Sequence, residues 1–494
     1  MAEVIPHWLS KQAELAPNQT AIERPDGNTC TFLELKNKSQ SFARKLSGLG
    51  VQNNTKVGIL SANHIDMVVA IHALSYLGAV AVLLNIRLTE QELNDQLNDA
   101  GVSLVLGQLH DRNLNATFHK FSDVWELPER TGKLQSEIDL DAVFTIIYTS
   151  GTTGFPKGVV HTYGNHWWSA VGSMLNLGLR ARDKWLAVLP IFHVGGLAIL
   201  IRSVIYGMPV YLMEHYNRQL VHDAIMTRGV TIASVVTVMV NDLLTLLGDK
   251  RYPDTFRCML LGGGPAPKSL LEQAKAKQVP VFQSYGMTET SSQIVTLSPD
   301  DALEKLGSSG KPLFPAQLQI NAIGDEVGEI FVKGPMVTQG YFNREQATNK
   351  SIIDGWLATG DLGYTDQDGF LYVVDRRKDL IISGGENIYP TEIESVLASF
   401  DGIHEAGVVG KPDKKWGQVP VAFVVRRQAS VSTEAILDFA RERLAGYKIP
   451  KAIIFLDELP RNASNKLVRS KLAEHLNDND SRKSLTYGRI RNKL

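Results

Sequence analysis

Residues 67–84 read MVVAIHALSYLGAVAVLL, a run long and apolar enough to suggest a membrane span. His72 and Ser75 interrupt it, and Gly78 divides it. Glycine takes the left-handed conformation that ends a helix at little steric cost. The AVAVLL that follows has the length of a buried strand. The stretch is therefore read as a buried helix, a stop at Gly78 and a buried strand, an order normal in parallel sheets covered on both faces.

The same texture continues outward. TKVGIL (55–60), VSLVLG (102–107), KWLAVLP (184–190), MPVYLM (208–213), TIASVV (231–236), RCMLLGG (257–263) and VPVFQSYG (279–286) read as buried strands, with helical patterns between several of them. This alternation predicts an α/β architecture with largely parallel sheets. After residue 300 the sequence turns rich in Gly and Asp. GEIFVKGPMVTQGYFN and GWLATGDLGYTDQDGFLYVVDRRKD predict short antiparallel strands and a small barrel-like subdomain, with DQDG (366–369) as a hairpin signal. From residue 376 on, PTEIESVLASF, EAGVVGK, PVAFVVRR, STEAILDFARERLAG and AIIFLDELP predict helix, strand, strand, helix and strand, a compact α+β unit. The end, NDNDSRKSLTYGRIRNKL, lacks apolar periodicity and reads as a tail.

The chain has 494 residues, enough for two or three domains with a large core. Its 51 basic residues nearly balance 52 acidic ones, so no overall field favours nucleic acid or an anionic membrane. Its start, MAEVIPHWLSKQAELAP, has no apolar core of secretory length. The two cysteines, Cys30 and Cys258, form neither a metal spacing nor a disulfide framework, which predicts a reducing, cytoplasmic setting.

Residues 148–159, YTSGTTGFPKGV, follow the apolar run AVFTII. Gly151 and Gly154 let backbone N–H groups turn toward an anion, Thr149, Ser150, Thr152 and Thr153 add hydroxyls, and Lys157 adds a positive charge. The loop is suited to phosphate. It is not a Walker loop, because Gly154 is followed by Phe-Pro-Lys-Gly and no hydroxyl follows the lysine.

YTSGTTGFPKGV resembles the signature of the adenylate-forming superfamily, which includes acyl-CoA synthetases, luciferases and adenylation domains. The resemblance continues in order through QSYGMTET (283–290), WLATGDLG (356–363), DRRKDLIISGGENIYPTEIE (375–394) and LPRNASNKLVR (459–469). It implies a large N-terminal domain, 1–377, of two α/β sheet subdomains plus the barrel-like subdomain. A small mobile α+β domain, 378–476, and a flexible tail, 477–494, complete the expected organisation. It also implies a reaction in which a carboxylate attacks the α-phosphate of ATP, pyrophosphate leaves, and a thiol then attacks the acyl-adenylate. An anion attacking a polyanion needs positioning and positive charge, not an enzyme nucleophile.

The resemblance assigns roles residue by residue. Lys466 bridges the attacking carboxylate and the α-phosphate. Thr288 contacts the α-phosphate, and Glu289 is associated with Mg²⁺, a hard cation that keeps waters and phosphate oxygens. Asp361 accepts the ribose hydroxyls, as a carboxylate offers only acceptors, and Arg376 assists. Gly262, Gly263 and Gly264 allow a flat adenine to approach the backbone, and Tyr285, beside Gly286, stacks on it. Lys378 is the hinge after which Gly384 and Gly385 line a thiol tunnel. Turn, linker and core roles remain the rival readings from residue type alone.

GNHWWSAVGSMLNLGL, LPIFHVGGL, LLGGGPAP and RNASNK resemble, more finely, CoA ligases for an aromatic dicarboxylate. His193 matches the acyl-pocket entrance, and Gly195 with Gly196 leaves room for a bulky acid. Arg202 lies in the apolar run AILIRSVIYG. A buried arginine needs an anion, either an internal carboxylate or the acid's second carboxylate. LGSSGK (306–311) superficially looks like a carrier-protein serine motif but lies inside the ligase text, so free CoA is the expected acceptor. ATP, Mg²⁺ and CoA are the expected small molecules, with no nucleic acid partner and no integral membrane span; a homo-oligomer is left open. Other aromatic or medium-chain acyl-CoA ligases are the alternatives within the family, and a P-loop NTPase or a nucleotide sensor outside it.

Overall fold

A computed structural model describes residues 3–108, 112–149, 156–263, 266, 268–321, 327–376, 380–428, 430–461 and 467–480, without the side chains of 374–376, 391, 470 and 477–480. Residues 67–84 fold as their sequence predicts. The helix Ile65–Leu77 ends on Gly78, whose φ is 66° and whose N–H returns to the carbonyls of Leu74 and Ser75. A Cβ on Gly78 would lie 2.3 Å from side-chain atoms of Asn53 and of Gln135, so space as well as backbone conformation requires glycine. Strand Val80–Leu84 follows, buried at every position. The helix is about 20 Å long, too short for a hydrocarbon core of about 30 Å. Among the described residues no helix is long and apolar enough to cross a membrane.

That strand lies inside a seven-stranded sheet. The order is Gly340–Tyr341, Lys157–Thr162, Val143–Thr149, Val80–Leu84, Lys56–Leu60, Leu104–Gly107 and Thr117–Lys120. Val80–Leu84 pairs in parallel with Lys56–Leu60 on one side and with Val143–Thr149 on the other. Helix Tyr163–Leu177 leaves the sheet through a reciprocal cap: Thr162 Oγ1 accepts the N–H of Asn165, and Asn165 Oδ1 accepts the N–H of Thr162.

A second sheet of 14 strands carries the remaining parallel core. Trp185–Ala187, Val210–Leu212, Ile232–Val235, Cys258–Leu261 and Val281–Met287 pair in parallel. The antiparallel strands expected after residue 300 are present. They continue this sheet, because Ser308–Pro312 pairs with Ser292–Leu297 on one side and Leu371–Arg376 on the other. At the DQDG turn Asp366 Oδ1 accepts the N–H groups of Asp368 and Phe370, and Gly369 has φ 80°.

The chain divides into two compact units after Asp375. The first comprises Met1–Ile86, Gln96–Thr149 and Gly158–Asp375, and Arg87–Asp95 groups with the second. The second unit's five-stranded sheet has the order Glu386–Ile388, Ile381–Ser383, Gly417–Arg426 and Ile403–Asp413, with Ala452–Phe455 also on Gly417–Arg426. Helices Pro390–Ala398 and Thr433–Arg443 contribute Ile393, Leu397, Ile436 and Ala440 to its core. Within this unit Lys448, 3% exposed, lies 2.7 Å from Glu92 and 2.6 Å from Glu392, a buried charge with its partners. One expected boundary moves. The helix Arg469–Asp480 runs past residue 477, so the expected tail begins inside a helix. Residues 481–494 lie outside the described ones.

Candidate active site

Several predicted residues gather at the C-terminal ends of parallel strands, where open α/β sheets place their clefts. Cys258–Leu261 and Val281–Met287 are neighbours, with Leu261 opposite Gln283. Gly262 and Gly263 follow the first of them. Gly263 needs its glycine for conformation, with φ 83°, whereas a Cβ on Gly262 would meet only the Ser284 hydroxyl at 3.3 Å. Gly286 has a packing reason, since a Cβ there would lie 2.1 Å from the Ser292 carbonyl oxygen in the adjoining strand. Thr149 ends one strand of the first sheet and Lys157 opens its neighbour, both half-buried.

Asp361 lies inside the strand Trp356–Thr365, not in a turn. Its strand bulges there: Leu362 faces Glu329 and Ala358 faces Phe331, so three residues oppose one. Gly360, at φ 75°, supplies the kink and aims Asp361 toward the buried face. Asp361 is 6% exposed, and its Oδ2 accepts the hydroxyl of Tyr285 at 2.8 Å. The Tyr285 ring, expected to stack on a base, is 2% exposed and packs with Ile294, Val295 and Ile330. The structure ties Tyr285 to Asp361.

Thr288 and Glu289 form a single 3₁₀ turn, Thr288–Thr290, after the strand Val281–Met287. The exit is strained: Ser291 and Ser292 have φ 56° and 119° without being glycine. Neighbours hold it. Ser291 donates its hydroxyl to the Met336 carbonyl at 2.9 Å, and its own carbonyl accepts Ser169 Oγ at 2.8 Å. The Glu289 carbonyl accepts the Thr338 N–H at 2.8 Å, and its Oε1 accepts the Tyr341 hydroxyl at 2.9 Å. One carboxylate so held suits a magnesium ion that keeps waters and shares phosphate oxygens. Among the described residues no three His, Cys, Asp or Glu cluster as a protein-only metal cage.

Helix Val194–Tyr206 carries the predicted acyl site, with His193 as its N-cap. Gly195 and Gly196 differ. A Cβ on Gly196 would strike the Pro190 carbonyl oxygen at 2.3 Å, while one on Gly195 would touch only Leu189 at 3.8 Å. Only Gly195 leaves room. Arg202, two turns further on, shares its helix face. Arg202 is 2% exposed, its guanidinium lies 5.4 Å from the Trp185 ring, and its Nε has no hydrogen-bond partner among the described residues. The best contact of Nη2 is Ser169 Oγ at 3.5 Å. No carboxylate pairs with Arg202 among the described residues, so the internal salt bridge that its sequence allows is absent there. Burial pushes its pKa down. Ser169 thus stands between Arg202 and the turn carrying Thr288 and Glu289.

Ser150, Gly151, Thr152, Thr153, Gly154, Gly264, Lys378 and Lys466 lie outside the described residues, as does the side chain of Arg376. Gly384 and Gly385, with φ 59° and 89°, make the two-residue turn between Ile381–Ser383 and Glu386–Ile388, and Gly384 packs on Trp416. Sequence reasoning passed over Tyr341, Ser169 and His161, whose Nε2 lies 2.7 Å from the Thr288 carbonyl oxygen. His161 left one trace, a polar residue at an inward position of the buried strand Lys157–Thr162.

Residues 9–342 match the family model of the AMP-binding enzymes, and residues 392–466 match that of the AMP-binding enzyme C-terminal domain. A 2-succinylbenzoate–CoA ligase of Oceanobacillus iheyensis is 56% identical over 482 residues, covering 96% of this chain and 100% of the relative. Among solved structures, o-succinylbenzoate CoA synthetase from Bacillus subtilis is similar in three complexes. A double mutant with the product analogue OSB-NCoA gives a TM-score of 0.92 at 48% identity, covering 96% of this chain and 99% of the other. The complex with the acyl-adenylate intermediate OSB-AMP gives 0.76 at 46%, covering 99% and 100%. The complex with ATP and magnesium gives 0.75 at 47%, covering 95% and 100%.

Proposed function

The chain belongs to the AMP-binding enzyme family, and from that premise we propose how its residues carry out the reaction of its relatives. It is a ligase that forms 2-succinylbenzoyl-CoA from 2-succinylbenzoate, ATP and CoA, a step of menaquinone biosynthesis. An oxygen of the acid's carboxylate attacks the α-phosphorus of ATP and pyrophosphate departs. The CoA sulfur then attacks the acyl carbonyl, its proton is lost, and AMP leaves. Magnesium, when bound, supplies positive charge on the phosphates.

The observation that carries the substrate reading is Arg202, buried, with an unpartnered Nε and no carboxylate beside it among the described residues. An uncompensated buried charge is costly. A substrate with a second carboxylate supplies the missing anion, and the space at Gly195 suits the aromatic ring. Asp361 is the ribose acceptor in this reading, held from behind by Tyr285. Thr288 and Glu289 face the α-phosphate and magnesium, the 149–157 loop grips the departing phosphates, and Lys466 bridges acid and nucleotide. The two buried free thiols, Cys30 and Cys258, suit a reducing cytosol.

The test is ATP–pyrophosphate exchange and thioester formation across 2-succinylbenzoate, benzoate, 4-coumarate and a medium-chain fatty acid. Only the dicarboxylate should turn over efficiently. Arg202→Met should lower kcat/KM for it roughly 100-fold, the scale of a lost buried charge pair, and leave the KM for ATP within about threefold. Equal use of benzoate, or an unaffected Arg202→Met enzyme, would remove this reading.

A further inference from the structure

The Thr288 carbonyl accepts two hydrogen bonds. Its own turn supplies the Ser291 N–H at 3.0 Å, and His161 supplies Nε2 at 2.7 Å from across the molecule. A carbonyl only accepts, so His161 carries its proton on Nε2. Burial holds the ring neutral, with a pKa of about 4, so Nδ1 is an acceptor. Thr145 Oγ1 lies 3.3 Å from that Nδ1 and donates to it. The same oxygen then accepts from His166 Nε2–H at 2.9 Å. The chain has one polarity, from His166 through Thr145 and His161 to Thr288, and His161, Thr145 and His166 are at most 2% exposed.

We propose that His161 is a positioning residue for ATP activation, clamping the Thr288 carbonyl so that Thr288 and Glu289 are held in register with the strand that leaves the phosphate loop. His161 belongs to the strand Lys157–Thr162, which begins at the loop's lysine. The turn it grips ends in strained backbone, with Ser291 and Ser292 at positive φ, so an external hold has something to resist. The other holds return to the same strand: Thr338, whose N–H binds the Glu289 carbonyl, places its hydroxyl on the Val160 carbonyl, next to His161. Strand, turn and residues 338–341 form one knot around Glu289. The inference rests on reading Thr288 and Glu289 as the phosphate and magnesium contacts.

The test compares wild type, His161→Leu and His161→Gln in ATP–pyrophosphate exchange and in thioester formation from supplied acyl-adenylate. Leucine removes the donor, and a glutamine amide can still reach the carbonyl. His161→Leu should lower the exchange rate roughly 10- to 100-fold, as a misplacement near 1 Å does. Thioester formation should stay within about threefold of wild type, and His161→Gln should recover most of the exchange. Exchange unchanged in His161→Leu, or both half-reactions lost equally without recovery by glutamine, overturns the proposal. Should the leucine variant not fold, Thr145→Val removes the donor to Nδ1 in nearly the same volume. Exchange should then fall about three- to tenfold, and an unchanged rate overturns the proposal. Glu289→Gln tests the premise: an unaltered magnesium–ATP dependence overturns the role of the turn, whereas an impaired Glu289→Gln beside an intact His161→Leu overturns His161 alone.

Discussion

In the proposed reading Asp361 accepts the ribose diol, and such a carboxylate works only if its own direction is fixed; for Asp361 the fixing group is a phenol. Tyr285 donates to Oδ2 at 2.8 Å from the core of the second sheet. Tyr285→Phe keeps the ring and removes the donor. The KM for ATP should rise about fivefold, the effect of roughly 1 kcal/mol of lost hydrogen bonding, with kcat little changed. An unchanged KM would leave Tyr285 as packing alone. As a candidate, Asp361 was legible because TGDLG is a short, dense motif. The partnership was not, because the two residues meet only when the strand 356–365 enters a sheet whose order is not written locally. His161 is the same case. Its inward position could be read in KGVVHT, but its partner, Thr288, sits in a turn that follows a strand of the other sheet.

At the scale of elements, two glycines in neighbouring positions of the site make opposite demands. Gly286 sits where the Ser292 carbonyl leaves no room for a Cβ, while Gly262 has only a hydroxyl at 3.3 Å. Gly286→Ala should open the hairpin that carries Thr288 and Glu289, destabilising the protein by about 2 kcal/mol or more and abolishing exchange. Gly262→Ala should leave the urea midpoint nearly unchanged and raise the KM for ATP, if the base approaches the backbone there. Equal stability losses, or an unaltered KM in Gly262→Ala, would contradict this division of labour. The strands themselves were legible, since β-branched runs between turn signals mark them directly. The bulges at Tyr285–Gly286 and around Gly360 were not, because a bulge depends on the register of two chains and not on the pattern of one. The continuation of the antiparallel strands into the parallel sheet rests on such a pairing too, between Ser292–Leu297 and Ser308–Pro312.

At the scale of the whole molecule, the described residues of the first unit include five buried histidines, His7, His72, His161, His166 and His222, and desolvation lowers the pKa of each. Desolvation pushes His161 and His72 down to about 4 and His7 to about 3, and holds His166 well below 6.5. The unfolded chain takes up these protons near 6.5 and the folded chain does not, so their contribution is complete above that pH and is lost as pH falls toward 4. The slope is roughly 1.4 kcal/mol per pH unit for each ring. The urea midpoint of the tryptophan fluorescence transition should therefore fall steeply between pH 7 and 5, and less steeply in His161→Gln; a flat midpoint would show that the rings are not held neutral. The stretch at 67–84 bears on a different stage of the molecule's life. Strand Val80–Leu84 needs Lys56–Leu60 on one edge and Val143–Thr149 on the other. On the ribosome the first partner precedes it, but the second is made only after Glu90–Ala100, Leu104–Gly107 and Thr117–Lys120 have emerged. For that interval the most hydrophobic strand of the sheet has an open edge, next to a helix that is buried in the finished fold, and nascent chains in this state are the ones chaperones engage.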